Sequence, residues 1–277
     1  MIRALVILAA VASGPASAAD RVLAVGGAVT EIVYALGAGD KLVARDTTSS
    51  YPEQAQALPD VGYMRALSPE GVLSVAPDLI VAVEGAGPPE TLEVLHSADI
   101  ELVTVPEGYD AEAIARKIAV VGDALDLQPE AAALSAKVRA EVEAASATAQ
   151  GRAEGQNRRV MFVLSTQGGR ILASGTGTAA DAVIALAGAQ NAFSEFEGYK
   201  PLTDEAILKA APDVILMMDR GGDHSQSDAD LLAIPAIAQT PAGLEGEIVR
   251  MPGLYLLGFG PRTASAVSDL SDHLYGS

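Results

Sequence analysis

The 277-residue sequence lacks cysteine and tryptophan altogether. Without cysteine the chain has no disulfide framework, no thiol chemistry and no cysteine on which an N-terminal lipid anchor could be built. A chain of this length nevertheless buries enough apolar surface to fold without covalent cross-links. Aromatic residues make up only 4% of the sequence, so its seven tyrosines deserve individual consideration as functional groups.

Histidine and basic side chains are also scarce. His96, His224 and His273 lie in separate segments without the spacing of metal ligands, which argues against a zinc or manganese site built on histidine. The 18 basic residues are outnumbered by 36 acidic ones, a balance that argues against nucleic acid or anionic membrane surfaces as partners. With no G-x-S-x-G motif and no Ser–His–Asp set, nothing predicts an enzyme.

The first residues have the pattern of a secretory signal peptide. Arg3 gives a positive start, Leu5 to Val11 is an apolar run too short to span a bilayer, and Ala16-Ser17-Ala18 is a typical cleavage site. We therefore predict that residues 1–19 are a signal peptide and that the mature chain is exported. A membrane anchor would need a longer apolar run, and no later run predicts stable membrane insertion.

One segment of the sequence occurs twice. Residues 68–81 and residues 203–216 share a Ser or Thr, a Glu two positions later and, further on, a Pro-Asp pair before an apolar run. Each copy predicts an N-capped helix, a turn and a buried strand. Two copies this far apart indicate two similar α/β lobes rather than a solenoid of short repeats. A cleft between two lobes is a common place for a ligand.

Alternating strand and helix patterns predict an α/β fold with two Rossmann-like lobes and parallel sheets. The first α/β lobe is predicted over residues 20–127. A helix that begins at Pro129 and runs to about Gln150 has apolar residues at every fourth position, and residues 128–150 are predicted to link the lobes. A polar stretch follows this helix, and the second α/β lobe is predicted over residues 151–277.

Three glycine-containing segments predict turns rather than nucleotide sites. Gly26-Gly27 follows the first strand but lacks the G-x-G-x-x-G spacing of dinucleotide-binding loops. Residues 174–178 precede a helix without the Lys-Ser/Thr ending of a phosphate-binding loop. That loop can cradle an anion with backbone N–H groups, or it can simply cap the helix. Gln167-Gly168-Gly169 predicts a tight turn between two strands.

The strongest candidate for a ligand site lies in residues 58–67. Tyr63 and Arg65 are two positions apart in a predicted loop and, in an extended chain, project to the same side. An arginine beside a phenol stabilises the phenolate, which is a hard anionic donor suited to ferric iron, and tyrosine is a known axial ligand of haem iron. The alternative is an ordinary surface tyrosine on a turn.

The signal peptide, the two lobes and the single long helix resemble a class III periplasmic binding protein of an ABC importer. That class carries cobalamin, ferric siderophores or haem. Several segments resemble its haem-binding branch: residues 60–68, 168–169, 173–181, 197–202 and 252–262. The resemblance covers essentially the whole predicted mature chain and implies a periplasmic protein that captures ferric haem b and delivers it to an inner-membrane permease.

The resemblance also implies which residues hold the haem. Tyr63 would be the axial ligand of the iron, and Arg65 would hydrogen-bond to it. Met64, Tyr199 and Arg262 are further candidates for the pocket, Arg262 either as a partner of a haem propionate or of the acidic surface. Some members add a histidine near the Gly-Gly turn. Its absence here implies five-coordinate iron, or water or another weak donor opposite Tyr63.

Glu70 and Glu205 occupy equivalent positions in the repeated segment. An acid in the first turn of a helix is favoured by the helix dipole, which alone would explain both residues. In the class that the chain resembles, however, one glutamate at the tip of each lobe docks onto arginines of the permease. The resemblance therefore implies that Glu70 and Glu205 contact the permease.

Other functions remain open at this point. The same fold can bind a ferric siderophore, although an anionic chelate usually needs more basic residues, or cobalamin, which does not need the pair Tyr63 and Arg65. A secreted α/β enzyme is a more distant alternative. We expect a monomer that does not bind nucleic acid, with a long helix that allows only small closure of the lobes.

Overall fold

The computed structural model describes residues 19–98, 100–166, 170–219 and 227–276. The predicted signal peptide, except Ala19, lies outside the described residues, as do the predicted turn at Gln167-Gly168-Gly169 and His224. Within the described ranges, no helix is both long and apolar enough to cross a membrane.

The first lobe is built on a four-stranded parallel sheet with the strand order β2-β1-β3-β4. These strands are β1 (Val22–Val25), β2 (Leu42–Arg45), β3 (Leu79–Val83) and β4 (Glu101–Val105). The central strands β1 and β3 are aliphatic and fully buried, because helices cover both faces of a parallel sheet. The helices of this half of the chain are α1 (Gly27–Ala35), α2 (Pro69–Ser74), α3 (Pro89–Ser97), α4 (Ala111–Ala124) and the long α5 (Gln128–Ala153).

The second lobe contains a mixed sheet. Its strands are β5 (Arg159–Ser165), β6 (Leu172–Ser174), β7 (Gln190–Asn191), β8 (Tyr199–Pro201), β9 (Val214–Asp219) and β10 (Ile248–Pro252). The predicted parallel arrangement holds for β5, β7, β9 and β10, whereas β6 runs antiparallel to both β5 and β8. Too few residues separate β5 from β6 for the crossover that parallel neighbours need, and the two strands pair antiparallel.

Seven helices accompany the second sheet within the described residues. They are α6 (Ala179–Leu186), α7 (Asp204–Ala210), α8 (Asp228–Leu232), α9 (Pro235–Ala238), α10 (Pro241–Glu245), α11 (Gly253–Leu257) and α12 (Thr263–Tyr275). The last helix, α12, returns to pack along α5, as α4 does from the first lobe. The long helix α5 therefore has an element of each lobe against it.

The linking helix α5 is longer than the sequence predicted. Its 26 residues give a length of about 39 Å, and it ends at Ala153 rather than near Gln150. The extra turn forms because Ala149 and Ala153 are buried against the turn at Gly188, where a side chain would collide with the backbone of α5. A single apolar cluster runs from the first lobe through α5 into the second, which favours the small lobe closure that we expect.

The repeated segment folds in the same way in both lobes. The hydroxyl groups of Ser68 and Thr203 accept hydrogen bonds from backbone N–H groups in the first turns of α2 and α7. After these helices Ala76 and Ala211 both adopt a left-handed backbone conformation with φ of 44°. Each helix then turns back into a buried strand, so the N-termini of α2 and α7 lie at the edge where the parallel strands end.

The Pro-Asp pair of the repeat fastens neighbouring strands together. The carboxylate of Asp78 accepts a hydrogen bond from the backbone N–H of Arg21 at 3.1 Å, just before β1. In the second lobe Asp213 accepts from the backbone N–H of Arg159 at 2.8 Å, at the start of β5. Charge-assisted hydrogen bonds of this kind are stronger than neutral ones. The aspartate therefore sets the register of the adjacent parallel strand in both lobes.

Candidate ligand-binding cleft

The two lobes face each other across the carboxyl ends of their parallel strands, which is the edge where α/β proteins commonly bind ligands. Tyr109, just after β4, packs edge-on against Phe259 of the second lobe with ring centres 5.2 Å apart. A side chain on Gly27, just after β1, would lie 2.4 Å from the side chain of Leu254 in α11. Gly27 therefore permits close contact between the lobes, whereas Gly26 lies against Val83 of β3 in its own lobe.

The second glycine-rich loop, residues 174–178, is a helix cap. Thr178 accepts a hydrogen bond from the backbone N–H of Asp181 in the first turn of α6. A side chain on Gly175 would lie 2.1 Å from the carbonyl oxygen of Phe196, so the loop needs glycine for close backbone packing. Of the two interpretations of this loop, these contacts favour the cap.

The loop that carries Tyr63 is fixed by its own polar residues. The carboxylate of Asp60 accepts hydrogen bonds from the hydroxyl of Thr47 at 3.1 Å and from the backbone N–H of Gly62 at 2.8 Å. It also forms an ion pair with Arg45 at 3.1 Å. Gly62 has a φ of +101°, which a residue with a side chain rarely adopts. Tyr63 is thus held at a defined place even though it is exposed.

Tyr63 and Arg65 are both exposed, and the side chain between them points into the protein. Tyr63 is 46% exposed, whereas Met64 packs against the apolar core of the first lobe. The backbone N–H of Ala66 donates to the carbonyl of Tyr63 at 2.7 Å and closes the turn. A phenol and a guanidinium two positions apart are therefore both accessible to a ligand, and Met64 supports the turn that carries them.

Arg65 lies within electrostatic reach of phenols from both lobes. Burial raises the pKa of Tyr199, while a hydrogen bond with Thr178 and the charge of Arg65 act in the opposite direction. Burial and the charge of Glu107 raise the pKa of Tyr109, and Arg65 again opposes them. The structure thus brings Arg65 and Tyr199 together as candidate site residues. It adds Tyr109, which the sequence analysis missed.

The second-lobe wall of the cleft is aromatic. Tyr199, on β8, packs edge-on against the buried ring of Phe162 on β5, with ring centres 6.4 Å apart. Tyr199 and the half-buried Tyr109 give the cleft apolar surfaces, the buried rings of Phe162 and Phe259 support them from behind, and Arg65 adds a cation. Such a cleft suits a flat, largely apolar ligand that carries a few anionic groups.

Arg262 is engaged at the contact between the lobes. Its Nε donates to the buried carboxylate of Glu31 on α1 at 3.0 Å, and its guanidinium stacks on the ring of Tyr51 at 3.6 Å from the ring centre. Burial raises the pKa of Glu31, and the hydrogen bond and charge of Arg262 oppose this rise. These contacts favour a structural role for Arg262, and its pairing with a propionate stays a prediction.

We expect Arg262→Ala to destabilise the protein by about 3 kcal/mol at neutral pH, because it leaves a buried carboxylate without a partner. Without Arg262 the folded-state pKa of Glu31 rises further above its ordinary value of 4.5. The loss is therefore largest above that raised pKa and shrinks as the pH falls towards 4.5 and Glu31 becomes protonated. Urea unfolding between pH 5 and 8 measures this trend.

Arg262→Lys is the matched control for this prediction, because it keeps the charge beside Glu31. It should lose part of the stability with little change in the pH dependence. A loss for Arg262→Ala that is the same at every pH would show that the ion pair does not stabilise the contact between the lobes.

The two glutamates of the repeat are exposed at equivalent places. Glu70 lies in the first turn of α2 and Glu205 in the first turn of α7, at the same edge of the sheets as the cleft. One turn further on, Leu73 and Leu208 are each 41% exposed. Each lobe therefore presents an acid beside an aliphatic side chain at this edge.

No protein metal centre is evident within the described ranges, where no group of three or more His, Asp or Glu residues is arranged to hold a metal ion. Tyr63 can offer one oxygen ligand to a metal that is already held by a chelating ligand. That is the coordination a tyrosinate gives to the iron of haem.

A family model described as periplasmic binding protein matches residues 22–254, most of the sequence. The chain belongs to this family, whose members bind a substrate outside the cytoplasm and, in ABC transporters, work with a membrane permease. The predicted resemblance to a class III periplasmic binding protein of the haem-binding branch is confirmed, as is the α/β fold.

Two solved structures of haem-binding proteins are similar to the chain over almost its whole length. The periplasmic haem-binding protein BhuT in complex with two haems shares 43% identity with a TM-score of 0.87, covering 92% of this chain and 97% of that one. The periplasmic haem-binding protein RhuT from Roseiflexus sp. RS-1, in apo form, shares 37% identity with a TM-score of 0.85, covering 92% and 98%.

Curated relatives differ in their stated ligand. A vitamin B12-binding protein of Yersinia pseudotuberculosis is 29% identical over 243 residues, which are 85% of this chain and 83% of that protein. The uncharacterised ABC transporter substrate-binding lipoprotein YvrC of Bacillus subtilis is 29% identical over 192 residues. That match covers 69% of this chain and 60% of the relative, less than two thirds of its length.

Proposed function

We propose that this protein captures ferric haem in the periplasm and delivers it to the permease of an ABC importer in the inner membrane. The observation that carries the proposal is the fixed turn on which Tyr63 and Arg65, two positions apart, are both exposed, with Arg65 in electrostatic reach of the tyrosines of the cleft. The similarity to solved haem-binding proteins, with identities of 43% and 37%, supports the same ligand.

In this proposal the protein binds its cargo and carries out no reaction on it. The phenolate of Tyr63 ligates the ferric iron, and the guanidinium of Arg65 stabilises that phenolate. The aromatic side chains Tyr199 and Tyr109 contact the porphyrin from opposite lobes. Met64 supports the turn from below, and the face of the iron opposite Tyr63 is open or holds a weak donor such as water.

The organisation of the chain follows from this function. Residues 1–19 are a signal peptide removed on export, residues 20–127 and 151–277 form the two lobes, and residues 128–150 link them. Glu70 and Glu205 dock onto the permease, one from each lobe. The protein works as a monomer, since each lobe supplies one of the two docking points.

A second candidate ligand is cobalamin, and the relative named as a vitamin B12-binding protein is the observation that favours it. The same fold also accommodates ferric siderophores in the class that the chain resembles. Neither of these ligands has an evident use for an exposed phenol beside a guanidinium, because a siderophore already saturates its iron and cobalamin carries cobalt. The pair Tyr63 and Arg65 therefore favours haem.

A titration of the mature protein with ferric haem, cyanocobalamin and ferrichrome, each followed by absorbance, tests the proposal. We expect saturable binding of haem with a high-spin ferric spectrum and no saturable binding of the other two ligands. Saturation by cyanocobalamin or ferrichrome without saturation by haem would show that the proposed ligand is wrong and would leave the carrier function of the fold in place.

A further inference from the structure

The buried lysine of the first lobe, Lys117 on α4, has no evident role in stability. It is 1% exposed and lies on the helix face that also buries Ile114, Ile118 and Val121. Burying an ammonium group costs several kcal/mol unless good partners compensate, and an apolar side chain of similar size is often more stabilising at such a position. Buried charges of this kind are concentrated at functional sites.

The contacts of Lys117 lead towards the cleft. Its Nζ lies 3.8 Å from Oε2 of Glu107 and 6.0 Å from the centre of the Tyr109 ring. The charge of Glu107 also acts on the phenol of Tyr109 and raises its pKa. The lysine, the carboxylate and the phenol thus form one connected group, which we call the Lys117 cluster.

The backbone of the Lys117 cluster is fixed as well. The N–H of Glu107 donates to a carboxylate oxygen of Glu84, just after β3, at 3.0 Å. Between Glu107 and Tyr109, a side chain on Gly108 would lie 2.5 Å from Cβ of Ala113, so the chain is pressed against the start of α4. The position of Tyr109 is therefore set by polar contacts on one side and by close packing on the other.

Tyr109 is the member of the cluster that reaches the cleft. Its ring packs against Phe259 of the second lobe, and its phenol lies within electrostatic reach of Arg65 and Tyr199. Arg65 and Tyr199 are both exposed. Because Tyr109 lies within reach of both, its ring forms part of the wall of the cleft.

We propose that Lys117 and Glu107 are positioning residues that hold the ring of Tyr109 as a fixed wall of the ligand cleft, where it contacts the flat face of the ligand. This inference rests on the proposed haem-binding function. Burial and the charge of Glu107 raise the pKa of Tyr109, so this phenol stays protonated in the wall of the cleft. Burying Lys117 therefore does not stabilise the fold. It preorganises the cleft so that less free energy is lost when the ligand binds.

Lys117→Met separates this role from a merely structural one. We expect the variant to be as stable as the wild type or more stable in urea unfolding, because an apolar side chain of similar length replaces a buried charge. Its affinity for ferric haem should fall by about tenfold, because loss of a positioning residue commonly weakens binding at a ligand or metal site by 10- to 100-fold. The iron spectrum should stay that of the wild type, since Tyr63 is untouched.

Three further variants support the interpretation of Lys117→Met. Tyr109→Ala should weaken haem binding at least as much as Lys117→Met, and Glu107→Gln should weaken it in the same direction. The matched control is Lys137→Met on α5, where the lysine is 67% exposed and pairs with Glu141 at 3.1 Å. This control should bind haem like the wild type, because an exposed pair four residues apart in a helix contributes little.

Unchanged haem affinity in Lys117→Met and Tyr109→Ala, with tight binding by the wild type, would overturn this inference and leave the proposed function intact. If Lys117→Met fails to fold, Glu107→Gln and Tyr109→Ala decide the question, since Glu107 is 35% exposed and Tyr109 is only half-buried. A wild type that does not bind haem would overturn the proposed haem-binding function and this inference together.

Discussion

Tyr63→Phe is expected to weaken the binding of ferric haem by about 100-fold, which corresponds to about 2.7 kcal/mol. The substitution removes one oxygen atom and keeps the ring, so a loss of this size reports the bond from the phenolate to the iron. The turn that holds Tyr63 depends on Asp60 and on the backbone of Gly62, and neither is touched by the change. A haem titration followed by absorbance gives both the affinity and the spectrum of the iron.

Tyr51→Phe is a matched control for this prediction. Tyr51 belongs to the same lobe and is 44% exposed, close to the 46% of Tyr63, but its ring stacks on Arg262 and phenylalanine preserves that contact. We expect the control to bind haem with the affinity and spectrum of the wild type. Equal affinities and spectra for Tyr63→Phe and the wild type would place the axial ligand elsewhere in the cleft.

The parts of the fold that could be predicted from the sequence are those set by local contacts. A helix cap such as Ser68 or Thr203 bonds to a backbone group three residues away, so its signal is contained in a short segment. The repeated order of cap, Glu and Pro-Asp therefore predicted two similar lobes. The end of α5 was predicted less well, because it depends on packing against Gly188 in the other half of the chain.

The parts of the site that were missed depend on contacts between distant residues. Arg262 was predicted as a site residue but its partner Glu31 was not, because the two are 231 positions apart and no local pattern relates them. The helical periodicity around Lys117 indicates a buried position, whereas its residue type predicts exposure. Tyr109 had an available signal, because it follows a predicted strand directly and the carboxyl ends of parallel strands are where ligands bind.

Charge reversal of both tip glutamates, Glu70→Lys with Glu205→Lys, is expected to lower haem uptake at least tenfold while haem binding stays unchanged. Both carboxylates are exposed and lie outside the cleft, so the substitutions leave the ligand contacts in place. A basic surface of the permease that attracts one acid from each lobe would repel a lysine at the same position, and like charges across an interface cost several kcal/mol. Each single variant should show an intermediate effect, since the repeat gives the two lobes equivalent docking points.

Growth of the source bacterium on haem as its iron source, with the gene replaced by each variant, measures uptake, and titration of the purified variants measures haem binding.

Glu130→Lys is the matched control, because Glu130 is also an exposed acid in the first turn of a helix, at the start of α5. A lysine at position 130 is disfavoured by the helix dipole by about 0.3–1 kcal/mol, as a lysine at position 70 or 205 is, but position 130 lies outside the repeated segments. Uptake that falls equally in Glu130→Lys would point to lost helix stability, whereas normal uptake by the double variant would remove Glu70 and Glu205 from the docking surface. A selective loss in the double variant would show that the duplicated segment serves two purposes: its Pro-Asp turn fastens the strands of each lobe, and the first turn of its helix presents the acid that the permease contacts.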